Sequence, residues 1–369
     1  MLLGEALEEV SEGNRRLRTV VVPPILLRDS RTTTMNNKQL SALKGDFSDG
    51  LHSSELMVST ISEWYDAKHR RPCADEVSFI NSLAPKDCPY CGSGSLIKKG
   101  FQRKTGLRVW LCKGCGRRLS PLTGTIFDSR KIPFSEWIEY LIHLFEFHST
   151  KTAAMDNRNS VSTGFYWLEK VFLVLKDYQN DIRLSGKAWI DEAYVPVWKS
   201  KREKRDGREY RGLSRNQCCI CSGTDGEKCF LQACGKGKPG SGKALNVYGD
   251  HIEEFSAVIH DGELAHHELI EKKSLKSTVC KPSRYKKAKD KDNPMEPINK
   301  VHRALKRYLR SHGGYSRQEL QNWLNLFVFI WNEGGKREKK AQTFIEMAVK
   351  KRVILRYRDW KNKKNSDKD

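Results

Sequence analysis

The second half of the chain opens with the run Ala188-Trp189-Ile190-Asp191-Glu192-Ala193-Tyr194-Val195-Pro196-Val197-Trp198. It is apolar, rich in aromatic and β-branched residues, and reads as a strand with an acid at its centre. Downstream, Gln217–Thr224 and 228–235 read as two further strands joined across Asp225-Gly226, a hairpin signal. Residues 242–255 suggest a helix, 256–260 a short apolar strand ending at Asp261-Gly262, and 263–272 a second helix. A basic, proline-punctuated loop follows over 277–297. Residues 298–311 then read as a strongly basic helix, and 316–333 as one rich in Trp, Leu and Phe. Three strands, a helix, a strand and further helices form an α/β layer order.

Asp191 and Asp261 stand out because their neighbours Trp189, Ile190, Val258 and Ile259 are core-type residues. A carboxylate in or just after a buried strand is costly unless it is paired or binds a cation. If the two strands lie side by side, both carboxylates come to one end of the sheet, where hard oxygen ligands suit Mg²⁺ or Mn²⁺. Two such ions about 4 Å apart activate a water or a 3′-hydroxyl and stabilise the leaving oxygen of a phosphodiester. The alternative is a capping role for Asp191 and an ordinary turn at Asp261-Gly262. Glu192, next to Asp191, faces the other side of the strand, which suits a second-sphere or solvated role.

Upstream, Cys88-Pro-Tyr-Cys91 and Cys112-Lys-Gly-Cys115 are two C-x-x-C pairs separated by twenty residues. That is zinc-ribbon spacing, and four thiolates closing one tetrahedral site suit a structural Zn²⁺ with no open position for catalysis. Disulfides are the alternative, and the absence of a secretory signal argues against them. The ribbon occupies 85–128. Within it Arg103, Lys104, Arg108, Arg117 and Arg118 are candidate DNA-phosphate contacts, or else a solvated face.

Residues 129–184 carry a helix after Pro133 with a Ser cap, a short helix from Ala153, a polar turn at 156–160 and a helix over Val161–Leu175. This is a helix-turn-helix-like outline. Residues 1–84 form an N-terminal extension, poorly structured over 1–35 and weakly helical over 51–82, in which Met35 is a possible natural start. Residues 336–369 read as a basic tail.

The chain has 369 residues, with 67 Lys plus Arg against 45 Asp plus Glu, a formal charge of +22. The excess falls in clusters at 199–205, 286–291 and 336–340, which points to a polyanion, most simply nucleic acid. No apolar run is long enough to span a bilayer. Eleven cysteines without an export signal fit a reducing cytosol.

From Cys88 to about Trp331 the chain resembles the DDE-type insertion-sequence transposases that begin with a zinc ribbon, the ISXO-like group. Cys88-Pro-Tyr-Cys91, Leu111-Cys112-Lys113-Gly114-Cys115 and Leu119-Ser120-Pro121-Leu122-Thr123-Gly124-Thr125-Ile126-Phe127 match its ribbon and the stretch after it. Ile190-Asp191-Glu192, Ile259-His260-Asp261-Gly262 and Ile298-Asn299-Lys300-Val301-His302-Arg303-Ala304-Leu305-Lys306 match its three acidic motifs. In the third, Asn stands where Glu is common, with Lys306 seven residues on and on the same side of a helix.

The resemblance implies a ribonuclease-H-like catalytic domain over 185–335, with Asp191 and Asp261 binding two Mg²⁺ or Mn²⁺ ions. The third residue is Asn299, with Glu296 or His302 as alternatives, and Lys306 holds a phosphate. It implies binding to terminal inverted repeats and to target DNA, strand cleavage and transfer by direct transesterification, and a homodimer or higher oligomer on DNA. The location is cytoplasmic, at the nucleoid, in a prokaryote and nuclear in a eukaryote. The fold expected is therefore multidomain: zinc ribbon, helix-turn-helix-like segment and α/β catalytic domain. Two rivals remain: a catalytically inactive or domesticated DNA-binding descendant, and a zinc-ribbon transcription factor in which Asp191 and Asp261 lie far apart.

Cys218, Cys219, Cys221, Cys229 and Cys234 admit a second metal site, but their alternation along a strand better suits small buried residues. Trp323, Leu326, Phe327, Ile330 and Trp331 read as core of the last helix.

Overall fold

The computed structural model describes residues 74–128, 133–157, 159–196, 202–210, 215–285, 289–312 and 318–366. The readings of 1–73, and parts of the basic clusters at 199–205 and 286–291, lie outside the described residues.

Helix α1 (Ala74–Ser82) leads into β1 (Leu96–Phe101), β2 (Arg108–Cys112) and β3 (Arg118–Leu119). These form an antiparallel sheet in the order β1-β2-β3, with Leu96 opposite Cys112 and Trp110 opposite Leu119. Three helices follow: α2 (Phe134–Phe145), α3 (Thr150–Asp156) and α4 (Val161–Leu175). Ser149 and Ser160 accept from the N–H groups of Thr152 and Thr163 at 3.1 and 3.2 Å, so a hydroxyl caps both α3 and α4. The short helix therefore opens at Thr150, ahead of Ala153. Helix α2 follows Pro133 and has no side-chain cap, so the Ser cap expected there is not used. Helices α3 and α4 cross closely, for a Cβ on Gly164 would fall 2.6 Å from that of Ala154.

The strand expected over 188–198 is observed as β4 (Lys187–Pro196), its last two positions lying outside the described residues. A two-stranded ribbon, β5 (Lys204–Arg205) and β6 (Arg208–Glu209), precedes β7 (Gln217–Thr224) and β8 (Cys229–Lys236). Next come α5 (Ser241–His251), β9 (Ala257–His260), a 3₁₀ turn Leu264–His266, α6 (His267–Lys272) and β10 (Lys276–Val279). The main sheet runs β10-β9-β4-β7-β8, with β4, β7 and β8 antiparallel and β9 and β10 parallel to β4. A short helix α7 (Pro282–Tyr285) is followed by α8 (Glu296–Ser311) and α9 (Leu320–Asn332).

Strand alternation sends the two faces of this sheet into different cores. Ile190, Cys219, Cys221 and Phe230 pack with Ala244 and Tyr248 of α5. Ala193, Val195, Cys218, Ile220 and Leu231 pack with Val301 and Leu305 of α8 and Leu326 and Phe327 of α9. The same core takes in Leu107 and Phe127 of the ribbon segment and Trp137 and Trp167 of the three helices. The three helices and this face of the sheet thus share one hydrophobic core, while Cys88, Cys112 and Leu119 form a separate small cluster with Leu96 and Trp110 inside the ribbon. Cys218, Cys219, Cys221 and Cys229 are buried within the two faces, and so are Trp323 and Ile330 of α9.

Residues 336–369 do not form a basic tail. Residues 336–366 instead hold α10 (Arg337–Lys350) and α11 (Tyr357–Ser366). Ala341, Phe344, Ile345 and Ala348 recur at helical spacing and are buried, with the Phe344 ring 6.0 Å from Phe329 and 6.4 Å from Phe145. The lysines and arginines occupy the outer face, which is why composition alone suggested a solvated segment. Between the two helices Arg352 donates to the Thr123 carbonyl at 2.6 Å, and Tyr166 donates to that of Leu355 at 2.6 Å.

Candidate active site and four-cysteine site

The parallel pairing of β4 with β9 runs Lys187↔Ala257, Ala188↔Val258 and Trp189↔Ile259. Continued by two residues on each strand, the same register sets Asp191 beside Asp261, on strands about 4.8 Å apart. The turn after Asp261 is built by Gly262, with φ +91° and no room for a Cβ, which would sit 2.8 Å from Val279 Cγ1. Asp261 Oδ1 accepts from the Glu263 N–H at 2.9 Å and so closes the turn. Asp191 Oδ1 accepts from the Glu192 N–H at 2.8 Å, leaving Oδ2 toward helix α8. Burial pushes the Asp191 carboxyl up to about 7, and the nearby charges of Glu192 and Asp261 push the same way. A carboxylate raised by burial and by neighbouring acids marks a candidate functional group.

Helix α8 packs across β4 and β7 and brings His302 to this edge. His302 Nδ1 lies 3.7 Å from Asp191 Oδ2, and its Nε2 is 2.6 Å from Ser222 Oγ on β7. Burial, with Lys306 second, lowers the imidazole to about 3, so it is neutral. Asn299 is half-buried and Lys306 exposed on the same helix. At about 100° per residue these two project within about 20° of each other, flanking His302 at the rim of the buried face. Glu296 lies about 60° further round, where Arg303 Nη1 holds its Oε2 at 3.1 Å and Nη2 contacts Oε1 more closely still. Glu296 is thus engaged away from Asp191.

Glu192, on the opposite face, is not solvated: its side chain is 5% exposed and lies against the fully buried ring of His266. Its Oε1 accepts from Tyr248 Oη at 2.8 Å and from His266 Nε2 at 2.9 Å. Beyond it, His266 Nδ1 meets His260 Nδ1 at 3.1 Å, and His260 Nε2 meets Ser277 Oγ at 2.9 Å. His260, Asp261 and His266 present ligand atoms within 4.8 Å of one another. Sequence reading passed over Ser222, Tyr248, His260 and His266. The signals available were a polar Ser222 in an otherwise apolar strand and the histidines flanking Asp261.

The four cysteines converge as their spacing requires. Cys88 and Cys115 sulfurs are 3.7 Å apart, Cys91 and Cys112 sulfurs 3.5 Å, and all four lie within 4.8 Å of one another. Each pair sits on the same turn, closed by Gly92 N–H to the Cys88 carbonyl at 2.8 Å and Gly116 N–H to the Cys112 carbonyl at 2.9 Å. Gly92 and Gly116 have φ of +72° and +69°, the left-handed conformation that favours glycine. The backbone N–H of Cys115 lowers the Cys112 thiol to about 6, while Cys91, hydrogen-bonded to it, goes up to about 12, so without a metal the pair shares a proton. Around the site Arg103, Lys104, Arg117 and Arg118 are exposed, while Arg108 lies over the Phe101 ring at 4.1 Å.

Fold and sites together define a protein with a mixed α/β sheet that brings two acids toward one end and, in a separate segment, a four-thiol site able to hold a metal. A relative in Halobacterium salinarum, an uncharacterised protein in transposable element ISH50, is 30% identical over 128 residues, covering 34% of this chain and 42% of that protein. The chain therefore matches about two-fifths of that relative's length, and its resemblance to insertion-sequence proteins stands on it. No protein-family model matches the chain. Solved structures of a pre-cleavage Mos1 transpososome, of the Mos1 paired-end complex with left transposon end and of the Mos1 strand transfer complex align at 10–12% identity. They cover 55–56% of this chain and 71–73% of theirs at a TM-score of 0.25, which is too low to weigh on the fold. No helix among the described residues is long and apolar enough to cross a membrane.

Proposed function

We propose that this chain is a transposase of an insertion element: it binds the element's terminal repeats and catalyses metal-dependent cleavage and transfer of DNA strands. The observation that carries the reading is the register of β4 on β9, which puts Asp191 level with Asp261. A zinc-ribbon transcription factor has no use for that arrangement. The mixed sheet, three antiparallel strands continued by two parallel ones, fits the ribonuclease-H-like domain that the sequence resemblance implies.

Asp191 and Asp261 would hold divalent cations, Mg²⁺ or Mn²⁺, which suit hard oxygen donors and a carboxyl raised by burial. Bound there, such ions supply an activated water or 3′-hydroxyl and neutralise the leaving oxygen. The protein's own part is to bind and aim. Lys306, exposed at the rim, takes a DNA phosphate as a point charge. Asn299 offers a neutral oxygen on the same side of α8 and is preferred to Glu296, which Arg303 occupies. The four thiols hold a structural Zn²⁺. Arg103, Lys104, Arg117 and Arg118 present exposed charge around it for the DNA backbone, and α2 to α4 read the repeat. Two element ends must be held together, which calls for a dimer or larger assembly on DNA.

The test is strand transfer of a pre-cleaved terminal-repeat oligonucleotide with Mg²⁺ or Mn²⁺, comparing wild type with Asp261→Ala. Metal-dependent joining that the substitution abolishes is expected. Repeat binding without joining by the wild type would leave a DNA-binding descendant that has lost its chemistry.

A further inference from the structure

His302 sits in a hydrogen-bond arrangement that admits one tautomer. Ser222 Oγ lies 2.5 Å from the Asp191 carbonyl oxygen, a distance at which the hydroxyl proton must be donated to that carbonyl. Ser222 has no second proton, so at 2.6 Å from His302 Nε2 its oxygen accepts and Nε2 carries the hydrogen. A neutral imidazole protonated at Nε2 has a bare lone pair at Nδ1. That lone pair faces Asp191 Oδ2 at 3.7 Å, with Asp191 Oδ1 already taken by the Glu192 N–H. Two electron-pair donors thus confront each other too far apart for a hydrogen bond. They are close enough for both to reach one cation at roughly 2.0–2.2 Å each.

From this geometry we infer that His302 is itself a metal ligand, sharing with Asp191 the cation bound at the sheet edge, with Ser222 as the residue that sets its tautomer. This rests on the reading of Asp191 and Asp261 as a cation site and goes beyond it. A nitrogen donor shifts the site's preference from Mg²⁺ toward Mn²⁺ and the later transition metals. It also gives the third motif of this chain a ligand on α8, one turn from Asn299, whose own oxygen is neutral.

The experiment uses the whole zinc-loaded chain titrated with Mn²⁺, read by electron paramagnetic resonance for affinity and by spin-echo modulation for ¹⁴N on the ion. Wild type should bind Mn²⁺ with nitrogen modulation. His302→Gln should lose that modulation and bind at least about 10–100-fold more weakly, the range seen when only a ligand's outer hydrogen-bond partner is removed. Ser222→Ala, which leaves the ring in place and frees its tautomer, should weaken binding while keeping the fold, checked by circular dichroism. Asp191→Asn and Asp261→Asn are controls for the underlying reading. If Mn²⁺ binding ignores both aspartates, the cation site itself fails and this inference with it. If binding needs the aspartates but modulation and affinity are unchanged in His302→Gln, the site stands and the histidine ligand is refuted.

Discussion

Asp191 in β4 and Asp261 just after β9 each lie two residues beyond Trp189 and Ile259, the last residues paired in parallel, near enough for the Asp261 charge to act on the Asp191 carboxyl. Burial raises the Asp191 carboxyl, and the charges of Glu192 and of the sequence-distant Asp261 add to that rise.

A pH dependence follows for metal-free protein. Asp191 is raised from its ordinary 3.8 to about 7 on folding, so the folded chain holds this proton more tightly than the unfolded one. Its contribution therefore favours folding at low pH and is lost as pH climbs through that interval. In EDTA, Asp191→Asn should melt close to wild type at pH 4 and above it at pH 8, with added Mn²⁺ closing the gap. Thermal melts across the range check this; a difference that stays flat refutes it.

Gly262→Ala should destabilise the protein by about 1–3 kcal/mol, the usual cost of backbone strain, because it combines a left-handed φ with contact against Val279. Denaturant melts measure it. Joining activity should fall as well, since the turn sets the height of Asp261.

Purified chain should carry one zinc ion at the four-cysteine site. Cys112→Ser should lose it and unfold the ribbon, read by elemental analysis and by protease sensitivity over 85–128. Full zinc retention in that variant would disprove the assignment.

Phe344→Ala should cost about 3–5 kcal/mol, the range for truncating a buried aromatic, because its ring packs on Phe329 and Phe145. Deleting 336–369 should expose the same surface and yield aggregated protein, whereas loss of a free tail would change little.

Much of the fold was readable in order. Gln217–Thr224 and Val161–Leu175 were placed to the residue because alternation and helical periodicity are local signals. Ser149 as the opener of α3 and the helices within 336–366 are not legible in the sequence. In the first case a run of polar residues hid which hydroxyl caps. In the second, abundant lysine masked an apolar stripe of one residue every three or four.

The sequence by itself determined the chemistry present: two acids tied to apolar strands, four thiols in zinc-ribbon spacing, and a helix carrying Asn299, His302 and Lys306. These depend on residue type and short-range periodicity, which a linear chain displays in full. Which acid meets which partner depends on how the strands and helices pack. Parallel register, not spacing, sets Asp191 beside Asp261. The packing of α8 across β4 and β7 brings His302 to Asp191, while the Arg303 pairing holds Glu296 away. Burial turns Glu192 into an interior carboxylate held by Tyr248 and His266. Such contacts join residues tens of positions apart, and they are fixed by how whole layers pack rather than by any local pattern.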